Sequence, residues 1–311
     1  MKRIVAFAAA LLMLLLAACT PEQTGESQPL PESSEEERDQ NYPVTVAGVT
    51  LDKAPQRVVA LTPALAEVVA GLGYHESLCG VTDICGSLEL DGVTMLGDQY
   101  TLNFDRLAAL APELILTQIV SDDLAAWAKK NTVPVICLAP PTDRESLRSF
   151  YTDVATALGG SLDGVAAAQL LYTAVTGELM LLSNKIPMED AAAKVLYLAD
   201  ATGAVATGDT LWQLLFDTLA VTNVASDGEG WVAPQDMDTP DVVFCPESLV
   251  DQVEKTWKRA DVVVLDKNIA LFAGRTLSET ACTMALELYP DAMAEEEVSA
   301  EENSDTASDA D

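Results

Sequence analysis

The sequence predicts an α/β fold of two parallel-sheet lobes bridged by one long α-helix, and three observations lead there. First, short apolar runs recur at Arg57–Leu61, Leu78–Val81, Glu113–Thr117, Val133–Leu138, Lys194–Leu198, Asp241–Cys245 and Asp261–Leu265. They are continuous rather than alternating, as strands covered on both faces are, and helical segments lie between them, which points to parallel sheets in layers. Second, Ser161–Lys185 has few breakers and carries Val165, Ala168, Tyr172, Val175, Leu179 and Leu182 at helical spacing. A helix of that length spans roughly 37 Å, a stiff connector. Third, Ala111-Pro112-Glu113-Leu114-Ile115-Leu116 in one half is echoed by Thr239-Pro240-Asp241-Val242-Val243-Phe244 in the other.

The chain has 311 residues and opens with an address. Lys2 and Arg3 precede 15 apolar residues, Ile4–Ala18, the layout of a secretory signal peptide over residues 1–18. That run is shorter than the ~20 residues a membrane-spanning helix needs. Leu16-Ala17-Ala18-Cys19 looks like a bacterial lipobox, which makes Cys19 the lipid-attachment residue; the bland alternative is an ordinary cleaved signal with Cys19 as a bystander. More than one acyl chain anchors stably, at about 0.8 kcal/mol per buried CH2. Residues 19–40 are rich in Glu, Ser, Pro and Gln, too polar to offset their ordering entropy, and read as a disordered tether. Residues 292–311 read as a solvated acidic tail.

Folding is then confined to an N-terminal lobe at 41–160, the connecting helix at 161–185 and a shortened C-terminal lobe at 186–291. Val44–Val46 and Val49–Leu51 flank Ala47-Gly48 as a small hairpin. After the strand at Arg57–Leu61, Thr62-Pro63 is a helix start, a capping hydroxyl followed by Pro at the first helical position. Gly71 or Gly73 ends that helix. Further helices are expected at Asn103–Leu110, Asp122–Lys130, Glu145–Leu158 and Thr276–Leu288.

Composition excludes several functions. Seventeen Lys and Arg against 49 Asp and Glu leave a net charge of −32, which repels phosphate backbones and rules against nucleic-acid binding. A single histidine, His75, excludes multi-His zinc or manganese sites and reads as an exposed loop residue. Six cysteines in so long a chain make no disulfide scaffold. Cys79 and Cys85 could pair if their Cα atoms approach within ~7 Å, while Cys137, Cys245 and Cys282 in apolar runs read as buried thiols. An extracellular hydrolase is disfavoured: no Gly-x-Ser-x-Gly elbow is present and His75 would have to serve as its base.

Several motifs fall in one order: Pro55-Gln56-Arg57-Val58-Val59-Ala60-Leu61-Thr62-Pro63, Glu67, Gly71-Leu72-Gly73, Gly80-Val81-Thr82, Asn103-Phe104-Asp105-Arg106-Leu107, and Ala111–Leu116. Together they resemble the substrate-binding lipoproteins of ABC importers for iron-siderophores, haem and cobalamin. The resemblance runs over nearly all of residues 44–290. Its thinner C-terminal half rests on Gly208-Asp209-Thr210-Leu211, Asn223-Val224 and the strand at Asp241. It implies a ligand cleft between the two lobes.

The site expectations follow from that resemblance. Trp231 matches the position of a cleft tryptophan in cobalamin binders, and Tyr100 lies in a loop that lines the cleft. Ile84 falls where cobalamin binders place a tyrosine, a departure that argues against cobalamin. Trp212 reads as cleft-facing or core. Arg275 matches a position where siderophore receptors hold a basic group, suited to carboxylate or catecholate oxygens. Asp105 matches the first of two acids that pair with permease arginines; locally, an acid there is also favoured by the helix dipole. Gln235 or Asp236 stands at the second docking position, with Asp236 preferred.

The resemblance implies a lipid-anchored, extracytoplasmic receptor with an ABC permease as partner and no chemistry or resident cofactor of its own. Net self-repulsion favours a monomer. An accessory or sensory surface protein with the same fold is the alternative. Ligand identity is not legible, although scarce basic residues argue against a strongly anionic siderophore.

Overall fold

The computed structural model describes residues 40–86, 88, 90–98, 100–187, 192–232, 237–265 and 272–294. The leader, Cys19, the tether up to residue 39, Asp236 and residues 295–311 lie outside them. The hairpin β1 (Val44–Val46) and β2 (Val49–Leu51) leads into β3 (Val58–Ala60), α1 (Pro63–Gly71), β4 (Leu78–Val81) and β5 (Thr94–Met95). The short pair β6 (Gly97–Asp98) and β7 (Thr101–Leu102) precedes α2 (Phe104–Leu110), β8 (Leu114–Thr117), α3 (Asp122–Asn131) and β9 (Val135–Cys137). Two helices follow, α4 (Arg144–Gly159) and α5 (Val165–Ser183). The second half comprises β10 (Lys194–Tyr197), β11 (Val205–Ala206), α6 (Trp212–Thr218), β12 (Thr222–Asn223) and β13 (Trp231–Val232). It closes with β14 (Val242–Pro246), α7 (Val250–Thr256), β15 (Asp261–Leu265) and α8 (Arg275–Leu288).

Two separate parallel sheets result, in the orders β5-β4-β3-β8-β9 and β12-β10-β14-β15. Successive side chains of a strand point to opposite faces, and both faces here are buried. Val58, Ala60, Leu114 and Leu116 pack with Leu65 and Val68 of α1 and Tyr151 and Val154 of α4. Val59 and Ile115 point the other way, onto Leu107 of α2 and Leu124 of α3. In the second sheet, Val195, Tyr197 and Phe244 join the first of these clusters, while Leu196, Val243 and Cys245 meet Leu249 and Val253. The first cluster also holds Val175 and Leu179 of α5 and Ala281 and Met284 of α8, so one core runs from sheet to sheet along the connecting helix.

The connector starts later than the spacing implies. A wide helical turn occupies Gly160–Gly164, and α5 begins at Val165, giving a rod of roughly 28 Å. The corner needs Gly160, which sits at φ +82° with its Cα against Asn41; a Cβ would meet Asn41 Cβ at 2.3 Å. The Arg148 guanidinium lies 4.5 Å over the Tyr172 ring, and Tyr151 meets the same ring edge-on at 6.4 Å, so α4 packs back along α5. The buried stripe of α5 is Ala168, Leu171, Val175, Leu179 and Leu182; Val165 is exposed and Tyr172 half-buried.

Two cysteine readings change. Cys137 and Cys282 are exposed rather than buried, because Cys137 ends the edge strand β9 and Cys282 turns away from the inward face Ala281, Met284 and Ala285 of α8. Cys79 and Cys85 are free thiols: Cys79 donates to the Val58 carbonyl at 3.3 Å, and Cys85 lies 3.7 Å from the Thr82 hydroxyl. Burial pushes both thiols up.

One carboxylate joins the lobes directly. Glu67, on α1 of the first lobe, accepts hydrogen bonds from the backbone N–H groups of Ala273 (3.1 Å), Gly274 (2.7 Å) and Thr276 (2.7 Å) at the start of α8. Tyr151 donates its hydroxyl to the Ala273 carbonyl, and Ser278 donates to Glu178 of α5. Residue 274 must be glycine for the first contact, since a Cβ there would sit 2.6 Å from Glu67 Cδ.

Glu67→Ala removes the acceptor of three N–H groups and is expected to lower unfolding stability by about 3 kcal/mol, read by urea denaturation. Gly274→Ala is expected to cost about 1–3 kcal/mol through the clash. In the double variant the clash goes with the carboxylate, so the two costs should fall short of additive. Full additivity would show that the carboxylate does not hold this segment.

Candidate functional site

In open parallel sheets, ligands sit outside the carboxyl ends of the strands, and the largest described cavity does so in both lobes. Its volume is about 500 Å³. From the first lobe, Thr62, Pro63 and Ala64 follow β3, Gln118 and Ile119 follow β8, and Pro140, Pro141 and Thr142 follow β9. Tyr100 enters from the turn between β6 and β7. The opposite wall is Asp209–Trp212 at the start of α6, Gly230 and Trp231, and Phe272 and Ala273 before α8.

The aromatic wall is built from the core outward. Trp212 stacks on Tyr197 at 3.7 Å with a 12° interplanar angle, and Phe216 lies 5.9 Å behind it. Tyr197 meets Trp231 edge-on at 6.2 Å. Trp231 pairs through its backbone with Ala206 across β11 and β13, and Thr207 donates its hydroxyl to the Gly230 carbonyl at 2.6 Å. The same hydroxyl accepts the Asp209 N–H, so one threonine joins both loops that carry cavity residues. Trp212 is therefore core and cavity at once, only 4% exposed, whereas Trp231 (42%) and Tyr100 (68%) present open faces.

On the facing rim, the Thr117 hydroxyl donates to the Ile119 carbonyl at 2.7 Å and accepts its N–H, fixing the bend that aims Ile119 along the cavity edge. Thr62 caps α1 by position only; its buried hydroxyl finds no partner among the described residues. Asp209 is the one charged side chain among the described lining residues. No group of three or more His, Cys, Asp and Glu able to hold a metal occurs among the described residues. A second groove, of about 350 Å³, runs beside α4 past Asp143, Glu145 and Asp153. There the Ser146 hydroxyl and N–H hold the Asp143 carboxyl down, while burial pushes Asp153 up.

Of the residues singled out in the sequence, Tyr100, Trp212 and Trp231 meet at the cavity. Ile84 lies in a short helical turn, half-buried against the core, and is not among the lining residues. Arg275 opens α8 with its side chain 69% exposed, 3.9 Å from Glu279, and does not line the cavity either. Asp105 is exposed in the first turn of α2, where Asn103 supplies the cap by accepting the Arg106 N–H. His75 is exposed, away from the cavity lining. Sequence reasoning missed Phe272, the Pro140-Pro141-Thr142 turn, Gln118, Ile119 and Asp209. The carboxyl-end rule alone could have pointed to those that follow β8 and β9.

A family model described as periplasmic binding protein matches residues 58–256. An uncharacterised ABC transporter substrate-binding lipoprotein of Bacillus subtilis, YvrC, is 24% identical over 306 residues, covering 91% of this chain and 97% of that protein. Among solved structures, the haem-binding protein HmuT superposes with a TM-score of 0.65 at 19% identity, over 86% of this chain and 96% of its own. A periplasmic haem-binding protein of Pseudomonas aeruginosa gives 0.63 at 21% identity, over 76% and 94%. The chain thus belongs to the periplasmic binding protein family, non-catalytic proteins that present a small-molecule ligand to the permease of an ABC importer.

Proposed function

We propose that this protein is a lipid-anchored, extracytoplasmic receptor that hands a metal chelate or tetrapyrrole-type ligand, of the iron-siderophore, haem or cobalamin class, to an ABC importer. The observation that carries the reading is the interlobe cavity itself: about 500 Å³, walled by Trp212, Trp231, Tyr100 and Phe272, with one carboxylate and no cationic side chain among its described lining residues. Cavities of ~300–1,000 Å³ with apolar walls and few polar anchors suit ligands of this size. Aromatic faces grip a flat guest by offset or edge contacts.

The lining narrows the cargo. A polyanionic siderophore finds no basic partner there, and the lone Asp209 favours a guest that is neutral or carries a donor on that side. Any haem seated there would lack a histidine ligand, because His75 lies elsewhere on the surface. A chelate that brings its own full coordination sphere meets neither difficulty. Similar proteins named for haem binding support the ligand class without choosing within it. Acylation at Cys19 and export by the residue 1–18 leader complete the reading.

Fluorescence titration with hemin, cobalamin and a panel of ferric chelates tests the site. At least one is expected to bind, and Trp231→Ala should weaken it by roughly tenfold or more, as loss of a buried aromatic anchor does. Arg275→Ala should leave the affinity unchanged; the reverse pattern would move the site out of the aromatic cavity. Docking is tested separately. Asp105→Ala together with Asp236→Ala is expected to abolish uptake in cells while affinity in solution stays the same. Uptake that survives the pair would point to a sensory role or to other docking residues.

A further inference from the structure

Among the described residues, α5 carries four of the exposed large apolar side chains, Val165, Leu170, Met180 and Leu181, more than any other element. Leu170, Met180 and Leu181 are 74%, 59% and 61% exposed, with Ala174 between them, Ala166 a turn earlier and Leu162 just before the helix. Of the exposed polar residues there, Gln169 donates to Thr173 at 3.0 Å. From Gly164 to Asn184 the single charged residue is Glu178, which accepts from Ser278 of α8. A helix with one wet face ordinarily places its charges there. Here, in a chain of net charge −32, that face carries almost none. The helical run Arg144–Ser183 is long and apolar enough to pass as a membrane span, yet α5 buries Val175 and Leu179 in the core, so it is not one.

The way the chain enters the fold says what covers this face. Asn41 is fastened to the turn that opens α5: its side-chain carbonyl accepts the N–H groups of Leu162 (3.1 Å) and Asp163 (3.0 Å). Its amide donates to the Asp163 carboxylate, and its backbone carbonyl accepts the Ser161 N–H. If the 22 residues from Cys19 to Gln40 form the flexible tether their composition predicts, their r.m.s. reach is roughly 25 Å, about one length of α5. We infer that the exposed face of α5 lies against the lipid bilayer when the chain is anchored through Cys19. The inference rests on the acylation proposed above. A second copy is a poorer occupant, since two chains of −32 repel. The tether is too polar to cover apolar side chains. An anionic membrane repels every acidic part of the surface and this face least, and its apolar side chains gain by entering the headgroup boundary.

Hydroxyl-radical footprinting tests it, using the full acylated chain on vesicles of phosphatidylcholine with a minority of phosphatidylglycerol. The unacylated Cys19→Ala chain in solution is the reference. Oxidation of Leu170, Met180 and Leu181 is expected to fall several-fold on vesicles, while Ile119, exposed at the cavity rim, reacts as before. Leu170→Glu with Leu181→Glu should stay on the vesicles through its lipid yet lose the protection of Met180. Sedimentation with vesicles but solution-like oxidation of Met180 overturns the bilayer contact and leaves the anchor standing. Failure to sediment overturns both. Protection that grows with protein concentration without vesicles assigns the face to a second copy instead.

Discussion

The segment that supplies Phe272 and Ala273 to the cavity wall is held in place by Glu67. Its two oxygens accept three N–H groups at the start of α8, hydrogen bonds roughly twice as strong as neutral ones. The segment so held supplies Phe272 and Ala273 to the cavity wall, and Tyr151 secures the Ala273 carbonyl from the same lobe as Glu67. Part of the wall that follows the second sheet in sequence is thus bonded to the first. The remaining part, Trp212 and Trp231, rests on Tyr197 of β10. With one hydrophobic core running between the sheets behind it, the site is a preformed slot. Rigid preformed walls reduce the ordering cost of binding.

Acidity and apolarity are separated in this chain. The whole chain has a net charge of −32, and among the described residues several acids serve local backbone. Asp143 caps α4, Asp200 accepts from Thr202 and Ala204, and Glu113 accepts the Gln56 N–H, which holds its carboxyl low. The described cavity lining keeps only Asp209. The potential inside it therefore comes from one carboxylate and from the field of the acidic surface, both unfavourable to an anion. In the proposed receptor, selection of the guest would fall to shape, aromatic contact and the lack of cations among the described lining residues.

Sequence patterning revealed the layers and the connector because both rest on period. Val58–Ala60 and Leu114–Thr117 are buried on two faces and read as continuous apolar runs, and α5 repeats its buried residues at helical spacing. The two-residue strands β5, β6, β7, β11, β12 and β13 have no period to read; neighbours impose them. The boundary at residue 160 is read from the sequence, but the wide turn through Gly164 is not, because its conformation rests on the positive φ of Gly160 and the approach of Asn41 rather than on any period. Trp231, Trp212 and Tyr100 were found through resemblance to a family. Phe272 was not, since its place in the wall depends on a long-range bond from Glu67, 206 residues from Ala273 in sequence. Arg275 lies outside the described cavity lining for a related reason: α8 begins there, and its side chain lies 3.9 Å from Glu279 on the surface.

The proposed docking acid shows how one carboxylate can be distinctive on a surface full of them. At the start of α2 the cap is supplied by Asn103, while Asp105, exposed in the same first turn, is favoured by the helix dipole and has no side-chain hydrogen bond among the described residues. Arg106, its neighbour, donates from its guanidinium to the Met95 carbonyl at 3.1 Å and ties the turn to β5. Asp105 thus sits on a turn fixed by the bonds of Asn103 and Arg106, while Lys194 and Asp238, and Arg275 and Glu279, face one another as opposite charges. A permease arginine arriving at such a surface is drawn by the whole negative field but can form a planar, two-pronged contact only where the carboxylate is both unpaired and held in place. In the proposed docking, long-range attraction would set the rate of encounter and the turn of α2 the register.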